Sequence, residues 1–408
     1  MEFKKEYLSN GIPVVMVPMN QFRSVSVGIW VRTGSRFEAP EENGISHFLE
    51  HIFFKGTPSR SQKDIAIEID SIGGELNAFT SKETTTFYIR VLDHFLEKGI
   101  DLLSDIFLNS VFPEEEIEKE KSIIKEEIKM VEDTPDDYIH DLFHHTVWDN
   151  SGLGQSILGR RETIKTFTRE KLLNYKKKFY GTKDIIISCA GRFKPERLIE
   201  LLNRYFGSME EGSDPPSITK PPFHYRKHIH KKDLSEVHLC LGVETFELSS
   251  PYRYHLSIIN AILGGGVSSR LFQEIREKRG LAYSIYSFVL GFLDTGLLGV
   301  YAGTSKKRYN EVIDLVINEM NNLKDTITEE ELQKAKDQIK GNLVLGLEST
   351  GNTMSYIARQ EIYYGRYISI EETIKQIEKI KLTEIKELAE RLTGKNIFAI
   401  TLLGPVKE

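Results

Sequence analysis

Hydrophobic positions along the chain fall into two patterns. Short, nearly continuous apolar runs, GIPVVMVP at 11–18, DIIISCAG at 184–191 and NIFAITLLG at 396–404, predict strands, and the alternation from Thr84 to Val91 (TTTFYIRV) predicts another. Other segments carry helical spacing. Between Pro113 and Glu132 the residues Ile117, Ile123, Ile124, Ile128 and Val131 lie mostly on one side and charges crowd the other. Pro113 and three acids open that helix, where the positive end of its dipole favours them. A further helix is predicted from Asp136 to Val147. Around residues 45–53 the apolar Ile45, Phe48, Leu49, Ile52 and Phe53 fall on nearly every side, which predicts a mostly buried helix.

The clearest interruption, Glu211 to Pro222 (EGSDPPSITKPP), divides the chain nearly in half. The halves resemble each other. EEEIEKEKSIIK at 114–125 aligns with EEELQKAKDQIK at 329–340, an offset of 215, ETIK at 162–165 recurs at 372–375, and the terminal apolar runs match in style. The division expected from this is a first domain over 1–211, a Pro/Gly-rich linker over 212–226 and a homologous second domain over 227–408.

At 408 residues, 40% hydrophobic and 28% charged, the composition is that of an ordinary globular protein. No run approaches the ~20 apolar residues of a membrane span. The polar start, MEFKKEY, is unlike a secretory signal, so a cytoplasmic protein without a cleaved segment is expected. Cys189 and Cys240 sit in apolar runs, which fits reduced buried thiols better than a disulfide or a cysteine-based metal site. A net charge of −6, spread over many Lys and Glu, makes nucleic acid an unsuitable partner. The triple glycine at 264–266 lacks a following Gly-Lys-Ser/Thr and Rossmann spacing, so it is read as a turn after a helix rather than a phosphate loop.

The chemistry concentrates in His47-Phe48-Leu49-Glu50-His51. Positions i and i+4 share a helix face, so both imidazoles can reach one metal ion at about 2.0–2.1 Å. Glu50 shares that face and can take a proton from water acidified by the metal. The order H-x-x-E-H is the inverzincin pattern. A rival pair, His140 and His144 with His145, has the spacing but no intervening Glu, and Asp136, Asp137 and Asp149 suggest a solvated face. His224, His228 and His230 follow the Pro-rich stretch and are read as linker or strand-edge residues. A catalytic zinc takes a third protein ligand, and the 113–132 helix is the best source of one. Periodicity alone does not choose among Glu116, Glu120, Glu126 and Glu127. At the 215 offset Glu120 faces Ala335, Glu126 faces Gly341 and Glu127 faces Asn342, and the segment facing the motif, YHLSIINAILGGG, has no paired histidines. One half carries the metal residues and the other does not.

The inverted motif followed by a glutamate-rich helix resembles the pitrilysin-type zinc metallopeptidases, and the similarity spans essentially the whole chain. It is nearest to the short two-domain branch that includes bacterial processing-protease-like enzymes and the catalytic subunit of mitochondrial processing peptidase. The family pattern places a ligand Glu after about 75 intervening residues and a functional Glu seven places earlier. The resemblance therefore implies Glu127 as third zinc ligand, Glu120 as the carboxylate ordering the ligand shell, and Glu126 as the competitor. It also implies that Asn77-Ala78-Phe79-Thr80, with the strand that follows, lies beside the zinc where an edge strand pairs with substrate backbone. In SSRLFQEIREKRGLAYSIYS it implies substrate contacts for Arg276 and Tyr283, the latter near the developing oxyanion, with Arg279 as the alternative arginine. The implied fold is α+β, with two homologous domains, each a largely antiparallel sheet packed with helices, facing each other across a chamber. The implied protein is a homodimeric endopeptidase with one Zn2+ per chain, acting on extended, presequence-like or unfolded peptides. The alternative is a non-catalytic peptide-binding or scaffold subunit of the same fold.

Overall fold

The computed structural model describes residues 2–212, 218–394 and 397–406. Of the expected linker, residues 213–217 lie outside them, as does Asn396 of the last apolar run. The chain forms two compact units, each with one open sheet and covering helices, so the α+β expectation holds. The first sheet contains β1 (Lys4–Tyr7), β2 (Pro13–Pro18), β3 (Ser24–Val31), β4 (Glu75–Thr80), β5 (Thr85–Leu92) and β6 (Ile185–Gly191), in the order β1-β2-β6-β3-β5-β4. The second contains β7 (Lys227–Lys231), β8 (Val237–Thr245), β9 (Ala282–Gly291), β10 (Gly296–Thr304) and β11 (Ala399–Gly404), in the order β7-β11-β8-β10-β9. Apart from β1 the two orders are the same path. Each has one parallel pair at the same place, β2 with β6 and β7 with β11, and antiparallel pairs elsewhere. The duplication read from the helical repeat thus extends to strand order and direction.

The units do not follow the chain halves. The first gathers residues 1–130, 155–217 and 346–367, and the second gathers 131–154, 218–345 and 368–408. This departs from a division at 211 and 227, and its cause is an exchange of helices. The strand runs are apolar without alternation because both faces of each sheet are covered. On β2, Val14 and Met16 join the main core of the first unit, while Val15 and Val17 join Trp30, Ile186 and Ala190 on the other face. That second face is covered by Met354, Ile357 and Ala358 from the helix Thr350–Tyr364, which belongs to the second half of the sequence. In the second unit, Cys240, Leu297, Tyr301 and Leu403 are covered by Ile139, Phe143 and Val147 of the helix Pro135–Val147, from the first half. The exchanged helices begin 215 positions apart, at the offset of the repeat.

This exchange corrects one expectation. His140 and His144 do not lie on a solvated face: His140 Nε2 is 2.9 Å from the Tyr286 hydroxyl, and the His144 ring packs edge-on to Trp148. His145 is exposed. His228 and His230 lie on β7, at an edge of the second sheet. Both cysteines are free and buried, as expected. Among the described residues no helix is long and apolar enough to cross a membrane.

Candidate functional site

The motif forms the helix α1, Ile45–Ile52, and the expectation of burial holds, since Ile45, Phe48, Leu49 and Ile52 are inaccessible. Its N-cap is Gly44, at φ 96°, and a Cβ there would meet the Gly159 Cα at 2.7 Å, so only glycine fits. A glycine cap has no side chain to satisfy the first N–H groups. Glu38 does this from six residues upstream: its buried carboxylate accepts from the backbone N–H of Gly44 (2.7 Å) and Ser46 (2.8 Å) and from Asn43 Nδ2 (3.1 Å). Burial pushes the Glu38 carboxyl above its ordinary range, and these donors only partly offset that. Sequence reasoning missed Glu38. The available signal was a helix opening on glycine, which requires a cap from elsewhere.

Across from α1 runs the long helix Glu114–Asp133, and it delivers Glu127 to both histidines. Glu127 Oε2 lies 3.6 Å from His47 Nε2 and 3.7 Å from His51 Nε2. These separations are too long for hydrogen bonds and near the roughly 3.3 Å expected between two ligands of a tetrahedral ion with bonds of about 2.0–2.1 Å. His47, His51 and Glu127 are the one group among the described residues whose donor atoms converge in this way, within 4.8 Å of one another. Glu126, the competitor, is exposed. The donor set suits zinc, being two imidazoles and a carboxylate. His47 is only 6% exposed, and its Nε2 is the ring nitrogen that faces Glu127. Burial, with His51 nearby, holds its pKa down to about 3, so the ring is a neutral donor.

Glu120 stands behind His51, with its Oε2 2.9 Å from His51 Nδ1. Burial pushes Glu120 up, but the His51 hydrogen bond and the Lys55 ammonium outweigh it and hold the carboxyl below its usual range. Burial lowers the proton affinity of His51, and the Glu120 hydrogen bond with the Glu127 charge more than reverses this. Glu50 accepts a 2.6 Å hydrogen bond from Thr80 Oγ1. Burial raises its pKa, with Thr80 opposing.

Thr80 belongs to β4, which carries Asn77, Ala78 and Phe79 and lies at the edge of the first sheet, whereas β5 is paired on both sides. The Ala78 N–H is bonded to Asn77 Oδ1 at 2.8 Å. Arg276 and Tyr283 lie in the second unit. Arg276 sits on a π-helical turn, Phe272–Glu277, with its guanidinium over the Phe272 ring (4.7 Å) and the Tyr283 ring (5.5 Å). Tyr283 is 80% exposed on β9, an edge strand. Arg279 is instead paired with Glu274 at 2.6 Å. Gly264 to Gly266 follow the helix Arg253–Leu263, as the turn reading expects.

Comparisons with known proteins place the chain in a family. Residues 14–161 match the family model described as Insulinase (Peptidase family M16), and residues 166–339 match the one described as Peptidase M16 inactive domain. The chain is 41% identical over 403 residues to the uncharacterized zinc protease YmxG of Bacillus subtilis, covering 98% of each. It is 36% identical over 405 residues to an uncharacterized zinc protease of Rickettsia bellii, covering 99% of this chain and 98% of that one. Among solved structures, a Pseudomonas fluorescens peptidase M16 inactive domain superposes with a TM-score of 0.93 at 18% identity, over 99% of this chain and 98% of that one. A Helicobacter pylori protease superposes with a TM-score of 0.90 at 22% identity, over 98% and 99%. The two structures speak to fold alone. With two family models over successive parts of the chain and full-length relatives named zinc proteases, this chain belongs to peptidase family M16.

Proposed function

We propose that this protein is a zinc-dependent endopeptidase in which His47, His51 and Glu127 hold the ion and Glu50 is the general base. The observation that carries this is the approach of one Glu127 oxygen to both histidine Nε2 atoms, at 3.6 and 3.7 Å, beside the half-buried Glu50 carboxylate on the helix that carries both histidines. Zinc, when bound, would supply Lewis acidity, polarising a peptide carbonyl and easing deprotonation of water. Glu50 takes the proton of the attacking water on the oxygen that Thr80 does not hold, then gives it to the leaving amine nitrogen. Glu120 orients the His51 ring.

An extended peptide is the substrate this reading calls for, because the open edge of β4 offers main-chain groups without demanding a particular side chain. Asn77, Ala78 and Phe79 form the contact, and Asn77 releases the Ala78 N–H on binding. Thr80 completes that contact and also donates to Glu50. Tyr283 and Arg276, in the second unit, are the further substrate-binding residues of this reading. Their support is the exposure of Tyr283 and the stacking of Arg276 on it, an arrangement a merely structural tyrosine does not need. The protein would act in the cytoplasm, as a homodimer, with nucleic acid and membranes playing no part. The test is hydrolysis of a quenched peptide library. The parent should cleave, lose activity to a chelator and regain it with zinc, and zinc-loaded Glu50→Gln should be inactive. A Glu50→Gln variant that cleaves as fast as the parent would remove the base from the scheme.

A further inference from the structure

The chain after α1 does not simply turn away. A 3-10 turn, Phe53–Lys55, continues it and brings Lys55 over the helix Glu114–Asp133. Lys55 Nζ is 2.6 Å from Glu120 Oε1, as a close ion pair rather than an aligned hydrogen bond, and His51 Nδ1 is 2.9 Å from Glu120 Oε2. Each carboxylate oxygen is thus taken by one partner. The Glu120 side chain is 2% exposed and that of Lys55 is 15% exposed. Neighbouring cations are engaged elsewhere, Lys119 with Glu115 and Glu116 and Lys121 with Glu118. Among the described residues Lys55 is the one Lys or Arg paired with Glu120.

We propose that Lys55 is a positioning residue for the metal centre: its ammonium fixes Glu120, and Glu120 fixes the His51 ring with Nε2 turned toward Glu127 and the ion. This rests on the zinc assignment above. A carboxylate withdrawn from water is costly to leave without a cation, and it moves or recruits solvent when the cation is removed. The imidazole it holds then loses its fixed orientation and tautomer, which are set by the partner of the ring nitrogen that does not bind metal. Lys55 lies four positions after His51, so one short segment carries two ligands, the base and the cation that orders the shell behind them. The residue touches neither the ion nor substrate, so its effect should appear in metal affinity.

The experiment measures zinc affinity of the full-length chain by competition with a chromophoric chelator, for the parent, His51→Ala and three variants of Lys55. Lys55→Met and Lys55→Gln should each weaken zinc binding by about tenfold or more, the scale on which outer partners of metal ligands act. Lys55→Arg keeps the charge and should remain within about threefold of the parent, as should the exposed control Lys119→Met. A long-range 15N–1H spectrum of the zinc-free protein, recorded at alkaline pH where the ring is neutral, should show the parent His51 as a single Nδ1–H tautomer and Lys55→Met as a mixture. Circular dichroism should be unchanged, and if Lys55→Met does not fold, the comparison of Gln with Arg decides. Parent-like zinc affinity in both neutral variants, or an Arg variant as weak as Met, would overturn the proposal. A parent that binds zinc no better than His51→Ala would instead overturn the zinc assignment on which it rests.

Discussion

Ile357 belongs to the second half of the sequence, yet it is wholly buried in the first unit, against the sheet face that holds Val15, Val17, Trp30 and Ile186. Replacing Ile357 with Ala removes three buried carbons, about 2.4 kcal/mol at about 0.8 kcal/mol per methylene-sized group. The cavity left behind raises the expected cost to about 2–5 kcal/mol. The chain has two tryptophans, and each sits in one exchanged-helix cluster, Trp30 in the first unit and Trp148 in the second. Urea unfolding followed by fluorescence in a Trp148→Phe background therefore reports on the first unit alone. The Ile357→Ala change should lower stability there by about 2 kcal/mol or more. A loss below about 0.5 kcal/mol, the scale of ordinary surface substitutions, would refute the exchange. So would a shift confined to Trp148 fluorescence in a Trp30→Phe background.

Further outcomes follow from the same geometry. Glu127→Gln should lose zinc in a dialysis and metal-content assay while Glu126→Gln keeps it, and the reverse would transfer the ligand role. Glu38→Ala leaves the Gly44 and Ser46 N–H groups unpaired, each costing about 1–3 kcal/mol, so a thermal scan should show marked destabilisation. Lys176 donates to the Leu108 carbonyl at 2.9 Å and lies over the Phe53 and Phe112 rings, and burial pushes its pKa down to about 8. Its folded pKa lies below its unfolded one, near 10.5, so the unfolded chain binds more protons between these values and stability rises with pH across that window. Denaturant titrations should show parent stability rising from pH 8 to 10.5 relative to Lys176→Met by roughly 3 kcal/mol. A constant difference would show that the lysine is not held this way.

Much of the centre was legible because it is local. His47, Glu50 and His51 lie within one helical turn, and the 3.6-residue period alone places them on one face. Glu127 was not legible from periodicity, because Glu116, Glu120, Glu126 and Glu127 all fit a charged helix, and only the family spacing singled it out. The structure adds the physical reason: Glu127 approaches both histidines while Glu126 is exposed. Glu38 left no periodic trace, since it caps a helix from an irregular segment. The exchanged helices were hidden for a related reason. An apolar stripe such as Ile139, Phe143 and Val147 says that a face must be buried, but nothing about which sheet buries it. The unalternating strands carried half of that message, because Val14 to Val17 can all be buried only if helices cover both faces. The polar neighbours Asp136 and Asp137 misdirected the reading of His140, whose side chain meets Tyr286 instead.

The central claim is that three side chains from two helices form one zinc centre. A crystal of the zinc-loaded Glu50→Gln variant, measured on both sides of the zinc absorption edge, tests it most directly. The account predicts one anomalous peak per chain, about 2.0–2.2 Å from His47 Nε2, His51 Nε2 and a Glu127 carboxylate oxygen. A peak at other donors, or none beside these three in a chain shown to carry zinc, would contradict it.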